Sequence, residues 1–191
     1  METLRVLLIL GHLMGFATAL YLVMSEDMRF LRAQRLDLDA LAKNARSVAW
    51  ALAALFVTGA AVIWLDTGYS PAEIGARPKL VAKIVVVTVL ALNGAALHWI
   101  LFPMLKGPRG GNWSCALLAS LLGAVSSVSW LYASFLGVAK PLAGALGLSG
   151  FLGLYALALG LGMAGALLVV APRLRRLMGS APAAADLSPA L

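Results

Sequence analysis

Five runs of mostly apolar residues, at about 4–24, 47–65, 80–105, 114–138 and 149–171, alternate with shorter polar segments along the chain. A helix crossing hydrocarbon needs roughly 20 such residues, because every backbone N–H and C=O must be paired within the helix itself. The pattern predicts an all-α fold, a polytopic transmembrane helical bundle of five spans forming one unit over residues 1–176. The interiors of these spans carry almost no charge. The main exception, Lys83, falls within a turn of a helix start, where its stem can reach the interface. Ala17-Thr18-Ala19 has the small-x-small form of a signal-peptidase site, but Glu2 offsets Arg5 and the apolar run continues through Leu20, Tyr21, Leu22 and Val23. The first helix is therefore expected to be retained.

The polar segments are of different kinds. Residues 25–46 mix Glu26, Asp27, Asp37 and Asp39 with basic residues, while Leu31, Leu38, Leu41 and Ala45 recur at near-heptad spacing. This predicts a cytoplasmic amphipathic loop, part of it a helix lying on the membrane surface, with Asp37 or Asp39 as the N-cap of a second helix that begins in the cytoplasm and then enters the bilayer. Residues 66–78 hold Gly68, Pro71, Gly75 and Pro78 and read as turns. Residues 177–191 are small and Pro-containing, which predicts a disordered cytoplasmic tail.

Composition agrees with the pattern. Of 191 residues 62% are hydrophobic and 12% charged, against about 45–50% and about 25% in soluble domains. With a mean hydropathy of +0.93, the chain is neither a disordered polymer nor a nucleic-acid-binding domain nor a water-soluble α/β enzyme. The net charge of +7 instead reports on topology. Arg5, Arg77, Lys79, Lys83 and Lys140 fall on one side of the five spans. Arg29, Arg32, Arg35, Lys43, Arg46, Lys106, Arg109, Arg173, Arg175 and Arg176 fall on the other. The positive-inside rule places the larger set in the cytoplasm, with the N-terminus outside and the C-terminus inside. Cys115 then lies near the cytoplasmic face and Lys140 near the outer one. Trp64, Trp99, Trp113, Tyr69 and Tyr21 are expected at the interfaces. A lone cysteine permits no internal disulfide and no Cys-rich metal site.

Helices in lipid associate where small residues let backbones approach. Gly11 and Gly15 on the first span, Gly94 on the third and Gly123 on the fourth are the predicted packing positions, and the fifth span carries Gly150, Gly153, Gly160, Gly162 and Gly165. His12 shares a face with Gly15 and Ala19, and His98 one with Gly94, so both imidazoles are expected to turn inward. An intramembrane His is a candidate functional residue, though one bonded to a hydroxyl or a carbonyl on a neighbouring helix needs no ligand.

Depth along parallel helices relates these residues. At about 1.5 Å per residue, His12 lies about 3 Å outward of the middle of its span and His98 about 9 Å toward the cytoplasm. A separation of about 12 Å does not suit two axial ligands of one haem. Asn93 falls at nearly the depth of His12, which predicts a midplane polar cluster of His12, Thr58, Asn93, Ser126, Ser127 and Ser129. The spans contain no carboxylate pair, HExxH, GxSxG or phosphate loop, and the methionines form no ladder, so hydrolysis and metal sites are not expected.

The third span reads Lys83-Ile-Val-Val-Val-Thr-Val-Leu-Ala-Leu-Asn93-Gly94-Ala-Ala-Leu-His98, then Pro103. Together with His12 and the segment Glu26-Asp27-Met-Arg-Phe-Leu-Arg, it resembles a family of uncharacterised small bacterial integral membrane proteins with a K…NG..LH….P helix. More distantly it is similar to the copper-resistance D domain and to HemJ-type protoporphyrinogen oxidases. The resemblance implies a multi-pass protein of the bacterial inner (cytoplasmic) membrane. The HemJ likeness implies that His12 contacts haem or porphyrin, with Lys83 in support. Two readings follow. One is a non-enzymatic bundle that transports a small solute or serves as an accessory subunit, built around the polar cluster. The other is a haem- or porphyrin-associated redox protein in which His12, and more weakly His98, holds haem b. The residues weigh against an enzyme and against nucleic acid as a partner. They point to the lipid bilayer, and leave a homodimer or a larger membrane complex open.

Overall fold

The computed structural model describes residues 2–34, 37–107 and 112–179. Arg35 and Arg109 of the basic set, and residues 180–191 of the expected tail, lie outside them. Among the described residues there are six helices and no strand: α1 (Glu2–Arg32), α2 (Leu38–Thr67), the short α3 (Pro71–Gly75), α4 (Pro78–Lys106), α5 (Trp113–Val138) and α6 (Lys140–Met178). All but α3 are long and apolar enough to cross a membrane.

The helix ends depart from the sequence reading in an informative way. The polar segment after Met24 forms no separate surface helix. Residues up to Arg32 continue α1, while α2 begins at Leu38, where a cap at Asp37 or Asp39 puts it. Asp37 caps α2, accepting a hydrogen bond from the Ala40 amide at 2.9 Å, whereas Asp39 lies in the first turn. A carboxylate at this position satisfies an otherwise orphaned N–H and opposes the helix dipole. Residues 71–75 fold as α3 rather than as plain turns, because Ser70 caps it and Pro71 occupies the first turn. The chain reverses just before α3 through Gly68 and Tyr69, both at positive φ. The tyrosine is held in that strained conformation by its hydroxyl, which donates to the Ala60 carbonyl at 2.9 Å. Helix α6 runs beyond Arg176 to Met178, so residues 177 and 178 belong to a helix and not to the tail.

Two of the long helices each contain one wide, π-helical turn, Leu97–Leu101 in α4 and Ala166–Val170 in α6. In both, a proline follows shortly after: Pro103 and Pro172. A proline within a helix lacks an N–H and its ring presses on the carbonyl four residues earlier. An i→i+5 turn at that place widens the helix and relieves the clash.

Helices α1 and α2 form an antiparallel hairpin pinned along its length. Arg5 Nε donates to Asp66 Oδ1 at 2.6 Å at one end, and Asn44 Nδ2 donates to the Leu22 carbonyl at 3.2 Å toward the other. Gly15 lies against Leu55, 3.5 Å from where a Cβ would sit. Helices α4, α5 and α6 form a trio with two cores. Ala82, Val86, Tyr132, Leu136, Phe151 and Tyr155 fill one half, and Leu101, Leu105 and Cys115 the other end. Hairpin and trio meet in a third core of Ala19, Val23, Leu55, Leu90 and Trp130. Trp130 is 2% exposed and its ring lies 5.6 Å from that of Phe16. Cys115 is fully buried, so thiol labelling from either side reports on its packing, not on topology.

Candidate functional site

Beyond the Trp130 layer, hairpin and trio diverge. A cleft of about 1160 Å³ opens between them, walled by the ends of α1, α4 and α6, the start of α2 and the first half of α5. Most of its wall is apolar or aromatic, including Phe30, Phe56, Trp99, Phe102 and Trp130. Both π-helical turns border it. Arg173 of α6 donates to the Leu31 and Ala33 carbonyls at 2.9 and 3.2 Å, strapping α6 to the C-terminal end of α1 beside the cleft. A cation suits this place, where unpaired carbonyls carry the negative end of the helix dipole.

The polar groups of the wall gather one helical turn past the hydrophobic layer. Asp27 follows Val23 by four residues, Ser127 precedes Trp130 by three, and Asn93 follows Leu90 by three, so each continues a buried stripe of its helix. The Ser127 hydroxyl lies 2.6 Å from Asp27 Oδ2 and 3.1 Å from the Gly123 carbonyl, two acceptors for its one proton. Asn93 is 6% exposed and donates through Nδ2 to the Leu122 carbonyl at 3.1 Å. Its Oδ1 is buried and has no partner. Because the Leu122 carbonyl can only accept, the amide orientation is determined. A buried acceptor left open costs about 1–3 kcal/mol, which marks this atom as a place awaiting a donor. His98 stands further along the same wall. Its Nδ1 donates to the Gly94 carbonyl at 2.9 Å and its ring is held edge-on to Phe102. That leaves Nε2 as a lone pair in the neutral imidazole.

The predicted polar cluster is thus divided among three places. Asn93, Ser126 and Ser127 line the cleft. His12 and Thr58 are paired at 2.8 Å inside the hairpin, with the His12 ring packed over Gly59. Ser129 faces α6, where its hydroxyl lies 2.7 Å from that of Tyr155. Ala19 and Leu90 share the Trp130 core, and His12 lies seven residues before Ala19, about 10 Å along α1, so His12 is level with the opening turns of α4 and not with Asn93. Of the predicted packing glycines only Gly15 meets a neighbour. Gly11, Gly94 and Gly123 have nothing within 4 Å of a built Cβ, and Gly94 and Gly123 instead leave room in the cleft.

Comparison with protein-family models, curated proteins and solved structures found no match to this chain. The site therefore stands on its own geometry.

The residue that sequence reasoning missed is Asp27. A signal was present, since Ala19, Val23 and Asp27 share one helical stripe at intervals of four residues, of which the first two are buried. A carboxylate continuing a buried stripe needs a partner, and the α5 serines supply one.

Proposed function

We propose that this protein is a non-enzymatic membrane bundle that receives a small amphipathic molecule in the cleft between its helical hairpin and its helical trio, to move it across the membrane or pass it to a partner. The observation that carries this reading is the cleft itself: a large apolar volume with a few convergent polar groups at one level, the usual form of a small-molecule site. Among the described residues no three of His, Cys, Asp and Glu converge as metal ligands. Arg29 and Arg32 line the cleft, and Lys43, Arg46 and Lys106 belong to the same basic set, which by the positive-inside rule faces the cytoplasm of a bacterial inner membrane. Cys115 lies at that end and Lys140 at the opposite one.

Filling the cleft tests the reading. Gly123 lines the cleft and a Cβ there meets nothing within 4 Å, so Gly123→Leu adds its bulk to the cleft wall. Wild-type protein in phosphatidylcholine nanodiscs should carry a small molecule, seen by mass spectrometry of the extract, that the Gly123→Leu protein lacks at unchanged melting temperature. Identical extracts would reject the cleft as the site.

A second reading, haem b, has one observation in its favour. His98 presents Nε2 on the cleft wall while Nδ1 is tied to a backbone carbonyl, the arrangement that orients a metal-binding imidazole. This moves the ligand role from His12, which is packed against Gly59 inside the hairpin and is not on the cleft wall, to His98. A haem protein would show a Soret band that His98→Ala removes and His12→Ala retains. Its absence from protein purified out of haem-replete cells would dismiss the reading, and with it the HemJ likeness.

A further inference from the structure

Around Asp27 and Asn93 the serine, amide and imidazole groups of the cleft wall are spent as donors and open as acceptors, and from this we infer that the cleft recognises a hydrophobic primary ammonium ion, with Asp27 as its counter-charge. This inference rests on the cleft being a ligand site. The guanidinium groups of Arg29 and Arg32, the Asn44 amide and the indoles of Trp99 and Trp130 also line the wall and carry N–H groups; the donors of Ser127, Ser120, Asn93 and His98 are accounted for one by one. Ser127 has its proton between Asp27 and the Gly123 carbonyl, and Ser120 gives its own to the Ala116 carbonyl. Asn93 directs its NH₂ to the Leu122 carbonyl, and His98 directs Nδ1–H to the Gly94 carbonyl. The second oxygen of Asp27, the Oδ1 of Asn93 and the Nε2 of His98 remain as acceptors. Ser126, whose hydroxyl rotates, can serve either way.

Charge points in the same direction. Asp27 has no cationic partner among the described residues: the neighbouring guanidinium of Arg29 is bound to Glu26 at 3.1 Å, and its side chain is 61% exposed. A carboxylate inside an apolar wall is costly unless a cation or several donors reach it. An R–NH₃⁺ group supplies both, with three N–H donors on one centre. The aromatic rings of the wall suit a cation flanked by hydrocarbon. A carboxylate or phosphate ligand would find its cations at Arg29 and Arg32 of the wall, whereas beside Asp27 and Asn93 it would meet acceptors and a negative charge. A quaternary ammonium would satisfy the charge and leave the acceptors empty.

The experiment uses full-length protein in phosphatidylcholine nanodiscs and three probes sharing one apolar body: 4-phenylbutylammonium, its N,N,N-trimethyl derivative and 5-phenylpentanoate. Binding is measured by titration calorimetry, with empty nanodiscs subtracted. The ammonium should bind at least tenfold more tightly than either analogue. Asp27→Asn, which keeps an acceptor for Ser127, should reduce ammonium binding at least tenfold and leave the melting temperature unchanged. Should Asp27→Asn fail to fold, Asn93→Leu serves in its place: it removes the open acceptor and should weaken the ammonium more than the trimethyl probe. Replacing part of the phosphatidylcholine by phosphatidylethanolamine identifies the source of the ammonium group, since competition by that lipid would show a headgroup to be the occupant. Ammonium binding abolished by Gly123→Leu but indifferent to Asp27→Asn would overturn the ammonium assignment alone. Binding indifferent to Gly123→Leu, or no binding of any probe, would overturn the cleft reading as well.

Discussion

Gly162→Ala should lower the thermal stability of the protein sharply, although it adds a single methyl group. Gly162 of α6 faces Val128 of α5, and a Cβ built on it would overlap the Val128 Cγ2. Valine is stiff at χ1, so the methyl cannot easily turn away within a helix. The two helices must separate or α6 must rotate. Either movement disturbs the contacts of Tyr155 with Ser129 and Tyr132 a little further along the same pair. Overpacking of this kind costs about 1–3 kcal/mol. In lipid the loss is felt directly, because close packing, and not exclusion from water, holds such helices together. Melting in a fixed detergent should show the fall, and Val128→Ala in the same chain should recover much of it, since the two changes share one contact. Gly123→Ala on the same helix as Val128 is the control and should melt as wild type. If Gly162→Ala also melts as wild type, α5 and α6 do not approach at this position.

What could be read from the sequence follows from how strictly physics constrains each feature. The five spans were legible because unpaired backbone is not tolerated in hydrocarbon, so an apolar run of that length leaves little choice. Their ends were not. Ser25, Glu26 and Asp27 look like the start of a loop, yet α1 continues through them, and only the hydroxyl of Ser127, a hundred residues away, shows how a carboxylate is accommodated there. The depth argument erred for the same reason. Centring every apolar run on one plane puts His12 level with Asn93, whereas Ala19 packs with Leu90 and His12, seven residues earlier, falls level with the opening turns of α4. Glycines were legible as places where something comes close or space is left, but not as which of the two. Gly123 and Gly162 look alike in sequence, while one borders empty space and the other touches Val128. The two wide turns did have a local signal, a proline at the same interval beyond each, which is a steric rule and needs no knowledge of the fold.

Trp130→Ala should have the largest effect of any single truncation, and its consequences should divide between stability and the cleft. Among the described residues the ring is the largest fully buried side chain. It is the one trio residue of its size in the core shared with the hairpin, meeting Phe16 of α1 and packing with Ala19, Val23, Leu55 and Leu90. Truncating a buried Trp costs about 3–5 kcal/mol in water-soluble cores, part of it transfer from water that a lipid-embedded site does not repay in full. The void remains: at about 24 cal/mol per Å³, an empty volume on the order of 100 Å³ is worth about 2.4 kcal/mol. The hairpin should loosen first. Its own pins, Arg5 with Asp66 and His12 with Thr58, do not involve the trio, so α1 and α2 should stay paired while their docking weakens. The trio keeps its separate core around Tyr132, Phe151 and Tyr155. The expected result is therefore a melting curve broadened into two steps, with a cysteine pair placed across α1 and α2 still crosslinking and a pair placed across α1 and α5 losing efficiency. Because Trp130 also forms the inner end of the cleft, the same variant should bind 4-phenylbutylammonium more weakly even where Asp27 is intact. A single cooperative transition near the wild-type temperature, with both crosslinks preserved, would show that the hairpin is held to the trio by something other than this ring.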